Sequence, residues 1–274
     1  MNVLKQIVLL VALLFGALHS KGQFTVDTSS DSIDISPGDG ICADSNGECS
    51  LRAAIMESNA ITGLNNIFIP NNEYLITLNV SSENGCVSGD LDITSDLVIQ
   101  GELTRETIIN ADSLDRVFHV LPGVIVTIEH LEIHQGFVFA ENGGAILNQG
   151  DLSLFEVGIR NSMTEGDTQG AQIGGMGGAI ANEGIITIEN TTINDCMALG
   201  GKGGNGIAPG GGSGGGGGPG FGGAIYNTTD AVGVMVNSTI SGNIAIGGRG
   251  GSGTHHQGSG VVSSLGGLGG SSQY

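Results

Sequence analysis

The sequence predicts an all-β protein wound as a single-stranded, right-handed parallel β-helix with a short N-terminal capping helix. Three observations lead there. The phrase Gly-Gly-Ala-Ile-x-Asn occurs three times, at residues 143–148, 177–182 and 222–227. Each copy runs into an apolar-alternating stretch that closes on a Thr, Ser or Asn turn. The spacing inside each copy is nearly kept while the connections vary: the steps from Gly143 to Ile159 and from Gly177 to Ile193 are equal, and the step from Gly222 to Ile240 carries a short insertion. Such units are coils of a solenoid, each unable to bury its apolar face alone.

The elements follow in order. Residues 1–22 read as a secretory signal, with Lys5, an apolar run from Ile7 to Leu14, and small residues Ser20 and Gly22 before Gln23. The run is shorter than the ~20 residues a bilayer span needs. Residues 23–62 form the N-terminal cap. Phe24 and Val26, then Ile33 and Ile35, predict a pair of edge strands. Ser50 is placed as the N-cap of a helix whose apolar face is Leu51, Ala54, Ile55 and Ser58. The cap shields the first coil's apolar interior and open strand edges. Residues 63–246 are the β-helix. Its early strands are read at 66–69, 74–78, 91–93, 97–100, 107–109, 116–120 and 124–128.

In the aligned coils, Ile133, Ile159, Ile193 and Ile240 take equivalent positions. Asn148, Asn182 and Asn227 fall at one corner and are expected to form a structural ladder of stacked amides. The paired glycines supply the tight bend before each strand. The insert at 200–221 and the tail at 247–274 are dominated by Gly and Ser, and glycine alone makes up most of the chain from Gly200 to Gly223. That composition predicts flexible loops. Neither stretch contains the aspartates of a calcium-binding nonapeptide roll.

Composition bounds the function. The formal charge is −19; without Lys5 and Lys21 it becomes −21, six basic residues against 27 acidic. Such a surface repels nucleic acid and anionic lipid, so no nucleic-acid partner is expected and any membrane contact is peripheral. No Trp and three Tyr leave little for an aromatic sugar-stacking cleft. Four cysteines in an exported chain permit disulfides. Cys42 and Cys49 bracket a turn-rich loop and could bridge locally. Cys86 and Cys196, far apart in a solenoid, are expected to remain unbridged.

Four chemistries are conceivable. Asp39, Asp44, Asn46 and Glu48 gather oxygen donors in a loop, but without the distal glutamate of a calcium site; a solvated turn is favoured over calcium. His130 and His134 would share one strand face, without an evident third zinc ligand; His255 and His256 lie in the tail. Asp90, Asp92, Glu129, Glu132 and Arg160 could share a face for calcium-assisted polysaccharide cleavage, without a sharp constellation. Asn79, Asn190, Asn227 and Asn237 begin glycosylation sequons, three of which overlap the repeat turns.

The run Cys49-Ser50-Leu51-Arg52-Ala53-Ala54-Ile55, after Pro-Gly-Asp-Gly-Ile-Cys, resembles the N-terminal module of exported bacterial proteins named for a Cys-Ser-Leu-Arg-Glu-Ala signature. Ser88-Gly89-Asp90-Leu91-Asp92-Ile93 and residues 97–101 match the turn and strands that come next in that family. The Gly-Gly-Ala-Ile phrases resemble polymorphic outer-membrane protein repeats. Two departures stand out: the signature glutamate is Ala53, and the companion Phe-x-x-Asn motif survives only as Ile240-Ser-Gly-Asn243. The resemblance covers residues 24–246 and implies a pectin-lyase-like β-helix on a secreted or surface-displayed protein. It also implies an anchoring module at the C-terminus, so a truncated chain, a fragment or a part of a longer reading frame is expected. The function expected is an adhesin-like binding or structural module without catalysis, binding an extracellular carbohydrate or protein. A calcium-assisted polysaccharide lyase or glycoside hydrolase is the alternative.

Overall fold

The computed structural model describes residues 22–78, 84–103, 106–167, 175–206, 213–253 and 272–273. The signal segment up to Lys21, Asn79 and the His255–His256 pair lie outside the described residues. All strand pairs are parallel, and the chain winds through the same sheets coil after coil. It is a parallel β-helix.

The walk around one coil is clearest from Ile146. Ile146–Asn148 belongs to a five-stranded sheet, Asp151–Phe155 to a seven-stranded one, and Gly158–Arg160 to a six-stranded one. Met163–Glu165 follows in a four-stranded sheet and Gly175–Met176 in a three-stranded one, before Ile180–Asn182 returns to the first. Residues with period two point inward and stack on their counterparts. Ile67, Ile99, Ile128, Leu154 and Ile188 form one such column. Ile109, Ile133, Ile159, Ile193 and Ile240 form another, in the register the repeats predict. Most of these side chains are fully buried, which is where the stabilising apolar burial lies.

The repeat phrase has a separate cause at each position. Its first glycine sits at positive φ: +72° at Gly143, +73° at Gly177 and +60° at Gly222. The second does not need that freedom. A Cβ on Gly144, Gly178 or Gly223 would lie 2.5–2.7 Å from backbone carbon of the four-stranded sheet, at Met163, Met197 and Ile244 respectively. The alanine and isoleucine enter the core. The asparagines stack: Asn148 Nδ2 donates to Asn182 Oδ1 at 2.7 Å, and Asn182 Nδ2 to Asn227 Oδ1 at 2.5 Å.

Corners also stack. His130, Glu156, Asn190 and Asn237 occupy one bend in successive coils, all at φ between +50° and +57°. Two of the sequon asparagines, Asn190 and Asn237, are thus corner residues, and Asn227 is a rung of the ladder.

The cap holds the helix Leu51–Ala60, with Ser50 Oγ accepting from Ala53 N. The helix packs against Asn65–Ile69 and Leu91–Ile93. Cys42 and Cys49 form a disulfide; Cys86 and Cys196 are buried. The expected strand pair is half right. Gln23–Thr25 joins the seven-stranded sheet, but Ile33 and Ile35 are 41% and 63% exposed and form no strand. Between them Asp34 turns inward, its carboxylate accepting from Ser36 N and Ala43 N, so the segment is tied as a loop.

Among the described residues, the glycine-rich segments differ from the expected loops. In place of loose loops, residues 200–206, 213–218 and 246–252 run side by side and bond in a cycle. Gly200, Gly203 and Gly206 donate to the carbonyls of Ile246, Arg249 and Ser252. Gly248 and Gly251 donate to Gly218 and Gly215, and Gly215 and Gly218 donate to Gly204 and Gly201, all at 2.7–2.8 Å. The period is three. Ser272–Gln273, also within the predicted tail, is a strand paired with Gly220–Phe221.

Candidate functional site

The densest cluster of ionisable groups lies on the five-stranded sheet beside the cap. Strand Leu91–Ile93 pairs with Phe118–Val120, which places Asp92 next to His119. Asp92 Oδ1 is 3.0 Å from His119 Nδ1, and its Oδ2 accepts from Cys86 N at 3.2 Å. His119 Nε2 is 3.1 Å from Gln149 Oε1, and Gln149 Nε2 donates to Glu183 at 2.9 Å. A carboxylate and an amide oxygen both accept, so both contacts are hydrogen bonds only when the imidazole carries two protons. Burial opposes that charge, yet the bonds to Asp92 and Gln149 win and the pKa of His119 is raised.

One step away, Arg116 Nε donates to Asp90 Oδ2 at 2.5 Å and its Nη1 to Asn142 O at 2.6 Å, while Nη2 pairs with Glu141. Burial pushes the Asp90 carboxyl up to about 7 against the pull of Arg116, with the charges of Asp92 and Asp115 adding to the rise. Asp90, Asp92 and His119 are 7%, 0% and 8% exposed, and one ligand atom from each lies within 4.8 Å of the others. These residues could hold a divalent ion by donor type. As arranged, His119 spends both nitrogens on protein partners and Asp90 faces a guanidinium, so the donors are already satisfied internally.

The cap reaches this cluster through Arg52, which is 1% exposed. Its guanidinium is bidentate on Asp31 and donates to the carbonyls of Cys86, Gly89 and Asp90. Asp31 also accepts from the amides of Thr77 and Leu78. The Cys-Ser-Leu-Arg run therefore has a structural task at each residue: disulfide, N-cap, core and brace.

The other sequence candidates fall elsewhere. Glu132 and Arg160 meet on the six-stranded sheet at 2.9 Å, with His134 3.6 Å from Glu132. Gly158 leaves the room for this, since a Cβ there would sit 2.0 Å from the Glu132 carboxylate. Glu129 is on the seven-stranded sheet. The five residues grouped for polysaccharide cleavage are thus divided among three sheets, because corners separate Asp92, Glu129 and Glu132. His130 and His134 do not share a face either. His130 occupies a corner, 3.3 Å from Glu156, and only His134 is on a strand.

Of the calcium candidates, Asp44 and Asp39 bond to the amides of their own loop. Asp44 Oδ1 accepts from the amides of Asn46 and Glu48, and the bonds from Glu48 and Asn46 lower its pKa. Asp39 accepts from Ile41 N. They act as turn caps.

Sequence reasoning named Asp90 and Asp92 but missed Arg116, His119, Glu141 and Gln149. A signal was present: Leu91-Asp92-Ile93 and Phe118-His119-Val120 are the same apolar-polar-apolar triplet in neighbouring coils. Comparison with known proteins finds no matching family model, curated protein or solved structure. Among the described residues, no helix is long and apolar enough to cross a membrane.

Proposed function

We infer that this chain is an adhesin-like binding module, exported and displayed outside the cell, whose coil faces contact an extracellular carbohydrate or protein. One observation carries the reading: the convergent charged side chains are spent as braces between coils. Arg52, Arg116, Asp90, Asp92 and His119 are all buried and bonded to one another or to backbone. What the molecule offers outward is extended sheet surface in strict register, with inserts of variable length between coils. The likeness of the cap to exported bacterial modules and the signal-like N-terminus support export. N-terminal sequencing of protein recovered from the medium should read from Gln23.

The decisive experiment presents the whole chain to a panel of polysaccharides and matrix proteins, with and without calcium, and follows binding and product release together. Binding without products is the expected result. Release of shortened sugar chains would overturn the reading.

A second reading is favoured by Asp90. A carboxyl raised to about 7 within reach of a second carboxylate and an imidazole is a general-acid arrangement. It would serve a calcium-assisted polysaccharide lyase or a glycoside hydrolase. Product release abolished by Asp90→Asn, in a variant with unchanged circular dichroism, would establish it.

A further inference from the structure

Among the described residues, the cations are unevenly used. Arg52, Arg116 and Arg160 are each in an ion pair. Lys202 and Arg249 are exposed and in none, and both stand in the glycine bundle. Each follows two glycines, in Gly200-Gly201-Lys202 and Gly247-Gly248-Arg249.

The bundle explains why. An extended helix of three residues per turn has no internal hydrogen bonds, so its amides must bond to neighbours. Here every third glycine turns to the axis. A Cβ on Gly200, Gly203, Gly214, Gly217, Gly248 or Gly251 would lie 2.0–2.1 Å from a carbonyl oxygen of an adjacent segment. The exposed positions lie between these packed glycines. Those positions are Lys202 and Asn205 on one segment, Arg249 and Ser252 on the next. The segments run parallel, with Gly203 N donating to Arg249 O at 2.8 Å and Ser252 N to Asn205 Oδ1 at 2.9 Å. Lys202 and Arg249 therefore stand on adjacent segments of one seam, both exposed and neither ion-paired among the described residues. Two solvated cations with no acid paired to them offer an anion a place to bind.

The rest of the seam is peptide groups and small polar side chains. It lacks the aromatic anchors and apolar pockets that dominate protein–protein affinity. Peptide groups suit a hydroxyl-rich ligand, and the paired cations suit its acidic substituents. We propose that the Lys202–Arg249 seam of the glycine bundle binds an acidic polysaccharide. This rests on the binding-module reading and names its surface and ligand class.

The test compares dextran sulfate with uncharged dextran and with polyglutamate, using the whole chain. Dextran sulfate should bind, more weakly as salt rises, and dextran should not. The double substitution Lys202→Gln, Arg249→Gln should weaken binding about tenfold with unchanged circular dichroism, since both side chains are exposed. Gly217→Val, which drives a side chain into Gly248 O, should abolish binding and amide protection at 200–206 together. Undiminished binding by the double variant would overturn the proposal, as would equal binding of dextran or tighter binding of polyglutamate. If the chain binds other glycans or proteins but not dextran sulfate, this inference fails and the binding-module reading survives. If it binds nothing on the wider panel, both fail.

Discussion

The two halves of the β-helix are held by different means. Around the cap and first coils, cohesion is charged and singular: Arg52 ties Asp31 to three carbonyls, and Arg116 ties Asp90 to Glu141. From Gly143 onward it is mostly neutral and repeated: the Asn148–Asn182–Asn227 ladder, glycines at fixed places, and the glycine bundle, with Arg160 reaching back to Glu132. The contrast teaches that a solenoid needs individual solutions where its regular winding begins. Once coils stack on coils, one small set of residues can be used again, because each coil meets the same neighbour.

The strongest way to break the comparison is Arg52→Met. It leaves Asp31 buried without its cation and strips three carbonyls of a donor, so a loss of about 4 kcal/mol is expected in denaturant unfolding. Hydrogen exchange should show the loss confined to the cap and first coils, with amides of 180–199 still protected. Spread over the whole chain, the loss would contradict independent halves.

Next comes Gly178→Ala in the repeated half. Its Cβ would be 2.5 Å from Met197 C, and a cost of about 3 kcal/mol follows from overpacking against rigid backbone. Gly177→Ala should also destabilise, through its positive φ and a Cβ that would lie 2.2 Å from Ile180 O; circular dichroism melts of both variants compare the two costs. Asn182→Ala removes a rung that both accepts and donates, leaving Asn148 Nδ2 and Asn227 Oδ1 each short of a partner. About 2 kcal/mol is expected from the unsatisfied groups.

The smallest effect is on pH dependence, and it sharpens the comparison. Asp90 holds its proton up to about 7 when folded, against 3.8 as its ordinary value. The folded state then binds more protons than the unfolded one between these values, so stability falls as pH rises through that window. The raised pKa of His119 acts in the same direction, its contribution being complete below about 6.5 and lost as pH rises through the folded value. The lowered pKa of Glu132 acts oppositely, its contribution fading as pH falls below about 4.5. Asp90→Asn should flatten the dependence from pH 4 to 7 at the N-terminal half, while amide protection around the asparagine ladder stays indifferent to pH. An unchanged slope in thermal melts of the variant would remove Asp90 as its source.

The sequence by itself determined the coil. Period-two apolar residues, the Gly-Gly-Ala-Ile-x-Asn phrase and the Ser50 cap each record an environment that recurs or is local, so their pattern is visible along the chain. Even the Ile133, Ile159, Ile193 and Ile240 register was legible, because a buried column demands the same residue type in every coil. Tertiary structure alone decided the charged site. Asp90 meets Arg116 across 26 residues and Asp92 meets His119 across 27. Those offsets depend on insert lengths and on which corner intervenes; the matching triplets around Asp92 and His119 hint at one pair, and no period announces the other. It alone decided the glycine segments too. Their composition denies them an apolar core, which is why they read as loose, but hydrogen bonding between segments far apart in the chain supplies the order that burial does not.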